Sequence, residues 1–310
     1  MATTTTLKKN NEEDGMMTLR ERKPNLSEQT YNTYNASLKH LKKIAPNFEF
    51  KLIANYVHNL GNPVRARNLL TPLLIIYDGQ YRGLFNELRD DAEELLSNQK
   101  PSKRQTANVT TSKHIKRMLR RMREDVATHR LLSKPFNQLT MPHKRLLVAY
   151  ISFTLLLDVT MRSDLNSIQV VKTSSDASES DKNYYVRSTS TLWLNRFKTY
   201  KSFARREMLP LKLEVQQATA KLLRKYIRQL GNGQYLFSLY GGQKLTKQAH
   251  NNILTSFSHK YLGVRIGTTM LRHIVLSEFD KTNPSLADRK KKMRSMQQLS
   301  IETQMRYAFR

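Results

Sequence analysis

The sequence predicts a mainly helical protein with one small β-sheet, built as an N-terminal helical part and a C-terminal part of mixed helices and strands. Three observations predict this. Apolar residues recur at helical spacing through residues 28 to 96. That periodicity stops over 97 to 112. Short β-prone runs then cluster between 168 and 210, with helical patterns before and after them.

The elements follow in order. Residues 1 to 26 are rich in Thr, Lys and Glu and lack an apolar face, so a disordered basic arm is expected. Ser27 is an expected N-cap for a first helix with Tyr31, Tyr34, Leu38, Leu41 and Ile44 on one face. Leu52, Ile53, Tyr56, Val57 and Leu60 mark a second helix, and Gly61-Asn62-Pro63 stops it. Leu69, Leu70, Leu73, Leu74 and Tyr77 mark a third. Leu84, Leu88, Ala92, Leu95 and Leu96 mark a fourth. The helical domain is thus expected over 27–100 and a linker over 101–112, followed by a second domain over 113–310. That domain opens with a basic helix, carrying Lys113, Lys116, Arg117, Arg120, Arg121 and Arg123 opposite Ile115, Met118, Leu119 and Met122. An apolar helix is expected over 144 to 158. Strands are expected at Ile168–Val171, Asn183–Val186, Thr191–Leu194 and Arg206–Pro210, with a polar hairpin tip between the last two. Helices return at 212–230, 246–261, 267–279 and 285–296, and a last one carries Tyr307. No internal repeat is visible.

Charge narrows the function. Lys plus Arg number 53 and Asp plus Glu 25, for a net charge of +28 over 310 residues. Such an excess concentrates polyanions around the protein. Nucleic acid is the first candidate partner, with salt-sensitive affinity. A membrane surface is a weaker fit, because the charge runs along the whole chain. The basic helix then reads as a DNA-contacting face through Lys113, Lys116, Arg117, Arg120 and Arg121, or as an ordinary solvated face. There are no cysteines, so disulfides, thiolate nucleophiles and Cys-ligated zinc are excluded. No apolar run approaches the ~20 residues of a membrane span. The start of the chain lacks the apolar core of a secretory signal.

Two arginines, a lysine and a late tyrosine stand in order, each in a distinctive setting. Arg162 lies in Thr160-Met161-Arg162-Ser163-Asp164-Leu165, at the end of the apolar helix. Lys198 lies in the polar tip Asn195-Arg196-Phe197-Lys198-Thr199-Tyr200-Lys201. Arg272 lies in Thr269-Met270-Leu271-Arg272-His273, and Tyr307 follows Met296-Gln297-Gln298. Singly, each reads as a surface or structural residue. As a set they suit strand transfer on DNA. A tyrosine hydroxyl attacks a phosphodiester, cations hold the charge on the phosphoryl oxygens, and a lysine protonates the departing oxygen.

The order and settings of these four residues resemble the tyrosine recombinase (phage-integrase-like) family over most of the chain. The phrasing around Lys198 and Arg272 is most similar to the divergent recombinases of large eukaryotic DNA viruses and related mobile elements. The resemblance implies a helical core-binding domain and an α+β catalytic domain that close around double-stranded DNA. It implies Arg162 and Arg272 on the scissile phosphate, Lys198 as acid to the leaving 5′ oxygen, with Lys201 its rival, and Tyr307 as nucleophile. The 3′-phosphotyrosine link conserves the bond energy, so no cofactor, ATP or metal is implied. Strand exchange implies a homotetramer on two duplexes. Three residues follow Tyr307, so contacts between copies are expected to use another surface or to be weak. The implied setting is intracellular, wherever the DNA is: host nucleus or viral replication site.

Two positions depart from the family pattern. Thr269 stands where the second box has His, and Gln298 stands nine residues before Tyr307, where His or Trp is usual. Both can hydrogen-bond a phosphate oxygen, but neither serves as a general base near neutral pH. His273, one residue past Arg272, points about 100° away around a helix and reads as structural or as a helper to the phosphate. Two alternatives stay open: a type IB topoisomerase-like activity, and a non-catalytic DNA-binding protein that kept the fold.

Overall fold

The computed structural model describes residues 19–97, 100–161, 163–230, 235–240, 242–297, 300, 301, 305 and 308. It is mainly helical with one four-stranded sheet. The chain divides into two compact units, Met1–Asn98 and Gln99–Arg310.

The first unit holds four helices: α1 (Glu28–Ile44), α2 (Phe50–His58), α3 (Pro63–Ile76) and α4 (Asp78–Ser97). Ser27 caps α1 by accepting the Thr30 N–H at 3.2 Å, as its sequence setting predicts. Asn62 caps α3, with Pro63 at its first position. The core joins Leu38 and Leu41 of α1, Ile53 and Val57 of α2, Leu70, Leu73 and Ile76 of α3, and Tyr81, Leu84 and Leu88 of α4. Leu52, Tyr77, Leu95 and Leu96, counted on the apolar stripes, face outward instead. Of the arm expected over 1–26, residues 1–18 lie outside the described residues. Residues 19–22 form a helical turn, and Leu19 is fully buried in this core.

The second unit begins with a short helix, α5 (Lys103–Thr106), inside the stretch expected to be a plain linker. Beyond α5 that stretch is fastened to its own unit. Asn108 Oδ1 accepts the Arg265 N–H at 2.7 Å, and Glu278 accepts the Ser112 N–H. The basic helix α6 (Ser112–Thr128) and the apolar helix α7 (Met141–Val159) follow. Eleven residues of α7 are buried, from Leu146 to Val159, so α7 is the axis of this core. It packs against α6, α9 (Gln217–Leu230), α10 (Lys247–Leu262) and α11 (Thr268–Lys281).

The sheet has the order β1-β2-β3-β4. Strands β1 (Ile168–Val171), β2 (Asn183–Val186) and β3 (Thr191–Leu194) lie where their β-branched and aromatic runs predict. β1 pairs parallel with β2, and β3 pairs antiparallel with both β2 and β4. The fourth strand corrects the sequence reading. β4 is Leu211–Glu214, not Arg206–Pro210, and it takes the first residues of the expected helix 212–230. Its leucines alternate inward and its Lys212 and Glu214 outward, the period of a half-buried strand. The expected hairpin tip also differs, because it contains a helical turn, α8 (Tyr200–Ala204). A final described helix, α12 (Leu286–Ser295), is capped by Ser285. Among the described residues no helix is long and apolar enough to cross a membrane.

Candidate active site

The described part of the site is built around the two residues that follow α12. Met296 and Gln297 are fully buried, and Gln297 takes a left-handed backbone with φ 58°. Such a residue turns the chain sharply, so consecutive carbonyls leave the helix axis and can accept from other elements. Met296 O accepts from Arg272 Nη2 at 3.4 Å. Gln297 O accepts from Thr199 Oγ1 at 2.9 Å. One turn thus ties the second arginine box to the Lys198 loop, across distances of 24 and 98 residues in sequence.

Arg272 is the fifth residue of α11 and is 3% exposed. It lies on the helix face that also buries Thr268, Leu271 and Leu276. A buried guanidinium keeps its charge and needs acceptors, so its placement is a strong constraint on what surrounds it. The start of α11 is set closely: a Cβ at Gly267, its N-cap, would overlap the side-chain amide of Asn251.

Lys198 lies in the turn after β3 and is exposed, while its neighbours on either side are anchored. Phe197 is buried edge-on against Phe203, with ring centroids 5.1 Å apart. Thr199 holds Gln297 O. Upstream, the turn is clamped by Asn183, the first residue of β2. Its Oδ1 accepts the N–H groups of Asn195 at 2.9 Å and Arg196 at 2.8 Å, and its Nδ2 donates to Arg196 O at 2.7 Å. Nothing in Lys182-Asn183-Tyr184-Tyr185 marks this asparagine as a loop clamp, because its partners lie on the next strand's far end. Lys201, three residues on, is exposed on α8.

The other sequence-predicted residues divide. Thr269 is exposed in the first turn of α11. His273 is half-buried and turned toward α5, with its Nε2 3.4 Å from the Gln105 amide nitrogen. It therefore faces a different segment from Arg272, as the helical angle between adjacent residues requires. Arg162, Gln298 and Tyr307 lie outside the described residues. Tyr261, a conceivable alternative nucleophile, is unsuited to that task. Burial, and then the carboxylate of Asp125 that accepts its hydroxyl proton, push its pKa far above the usual range.

On α6, Ile115, Met118, Met122 and Val126 are buried, and Lys113, Lys116, Arg117 and Arg120 are exposed. Arg121 is exposed as well but is engaged. Its Nη1 donates at 3.1 Å to the carbonyl of Tyr261, in the last turn of α10, where helix carbonyls lack intrahelical donors.

No family model matches the chain, and no curated protein matches it. Among solved structures it is similar to the crystal structure of XerA recombinase. That match has a TM-score of 0.42 and 12% sequence identity, and it covers 96% of this chain and 94% of the other.

Proposed function

We propose that this protein cuts and rejoins duplex DNA as a site-specific recombinase, through a 3′-phosphotyrosine at Tyr307. The observation that carries this reading is the Met296–Gln297 turn, which accepts from Arg272 and from Thr199 at once. Two widely separated motifs meet there, immediately before the segment that contains Gln298 and Tyr307. The net charge of +28 supports a polyanionic substrate.

In this reading Arg162 and Arg272 hold the non-bridging oxygens of the scissile phosphate. The Tyr307 hydroxyl gives up its proton to water as its oxygen attacks phosphorus, the bond to the 5′ oxygen breaks, and Lys198 gives that oxygen its proton. The phosphotyrosyl link stores the bond energy, and a 5′ hydroxyl from a second strand reverses the step. Exchange between two duplexes takes four copies of the chain. Lys198 is assigned ahead of Lys201 because its neighbour Thr199 is fixed to the same turn as Arg272.

Incubation with nicked suicide duplexes from the flanking DNA tests the reading. A covalent protein–DNA adduct is expected from the wild type, and Lys198→Ala should slow its formation more than Lys201→Ala. Duplex binding with no adduct would favour a non-catalytic DNA-binding protein. Relaxation of supercoils without strand exchange would favour the topoisomerase-like alternative.

A further inference from the structure

Lys292 sits in the run Arg289-Lys290-Lys291-Lys292 and reads in sequence as one more solvated charge. In the fold it is half-buried, and its Nζ donates to Thr160 Oγ1 at 2.8 Å. Thr160 is the C-cap of α7, fully buried, with φ 45° and ψ 34°. A β-branched residue in the left-handed region is strained and persists where its surroundings fix it. Lys292 supplies such a fixture from another helix. Its ammonium also meets the C-terminal end of α7, where the helix dipole favours a cation.

The charged group facing Lys292, among the described residues, is Asp158 in the last turn of α7. The other groups on that carboxylate are neutral: the Gln216 N–H at 2.8 Å and the Thr219 hydroxyl. Burial holds the Lys292 pKa well below the usual lysine range, at about 8, against the upward pull of Asp158. One turn beyond Lys292, just past the end of the same helix, comes Met296, whose carbonyl takes Arg272, and then Gln297, whose carbonyl takes Thr199.

We infer that Lys292 is a positioning residue that locks α12 onto the end of α7, so that the Met296–Gln297 turn stands where it holds Arg272 and the Lys198 loop together. This rests on the recombinase reading, and it adds a residue that touches neither DNA nor the reacting atoms. Thr160 also lies two residues before Arg162 in sequence.

The test is single-turnover adduct formation on nicked duplex at saturating protein, from pH 6.5 to 9.5, with duplex affinity and Tm measured alongside. Wild-type cleavage should slow above pH 8 as Lys292 loses its proton. Lys292→Met should slow cleavage at neutral pH by about 30-fold with duplex affinity held, the size of effect expected when a reacting constellation is misplaced. Lys292→Arg keeps the charge and should flatten the alkaline limb. Thr160→Gly accepts the left-handed backbone without strain, so Lys292→Met should cost far less in that background. Wild-type cleavage by Lys292→Met at every pH would overturn the inference, as would an equal loss in the Thr160→Gly background. Should Lys292→Met fail to fold, an unchanged alkaline limb in Lys292→Arg would overturn it. Absence of any adduct from wild-type protein would overturn the recombinase reading, and this inference with it.

Discussion

The buried Arg272 donates to the Met296 carbonyl, so the residues that place that carbonyl matter as well as the arginine. The same holds for Lys198, which is displayed by Phe197, Thr199 and the Asn183 clamp. Asn183→Ala removes two acceptor contacts and one donor contact from a buried site. It should destabilise the protein by about 3 kcal/mol or more, since it strands three backbone groups at about 1–3 kcal/mol each. Adduct formation should slow by more than the unfolded fraction explains, whereas Asn183→Asp, which keeps both acceptor contacts, should fall between. A Tm and cleavage rate equal to wild type would show that the clamp is idle. Of the proposed site, Lys198 and Arg272 stand out in sequence because their local settings are distinctive, and their catalytic roles are part of the proposal. Asn183 and Lys292 do not stand out, because a clamp and a buried lysine are defined by partners that are remote in the chain.

At the level of elements, α6 divides its own charges. Arg117 and Arg120 are exposed, while Arg121 closes the end of α10 through the Tyr261 carbonyl. Arg117→Gln with Arg120→Gln should weaken binding to all duplexes alike and flatten the salt dependence of affinity by roughly two phosphate contacts. Arg121→Gln should instead lower Tm with little change in that slope. Equal behaviour of the two variants in both assays would contradict the division. α7 and α10 meet at a second polar contact. His250 Nε2 lies 2.8 Å from Ser152 Oγ, and the imidazole lies tilted against Phe237, with ring centroids 5.0 Å apart. Burial lowers the His250 pKa to about 4. The unfolded chain takes up a proton near pH 6.5 that the folded chain refuses, so stability contributed by neutral His250 is complete above that pH and is lost as pH falls toward 4. The full loss is roughly 3 kcal/mol. Chemical denaturation at pH 7 and pH 5 should show this slope in wild type and a shallower one in His250→Gln. The first three strands and most helices could be read from periodicity, because burial on one face leaves a repeating pattern. β4 could not be placed, because Leu211-Lys212-Leu213-Glu214 runs almost directly into the amphipathic pattern of α9.

At the scale of the whole molecule, two compact units and a charge of +28 suit a protein that meets a long polyanion. The loss of periodicity over 97–112 did not reveal that residues 105–112 are fastened to the second unit through Gln105, Asn108 and Ser112. Limited trypsin digestion should therefore release a large fragment beginning after Lys100, Lys103 or Arg104, and N-terminal sequencing would read this directly. A fragment beginning after Lys113 would mean that these fastenings do not hold in solution. In the proposed function the chain joins itself to DNA through Tyr307. The most direct measurement is peptide mapping of the adduct formed on a cognate nicked duplex, with Tyr307→Phe as its partner. The account predicts DNA on Tyr307 through a 3′ phosphate, and in Tyr307→Phe an intact fold, retained duplex binding and no adduct. An adduct that persists in Tyr307→Phe, or a wild-type protein that binds its duplex and never becomes linked to it, would contradict the account.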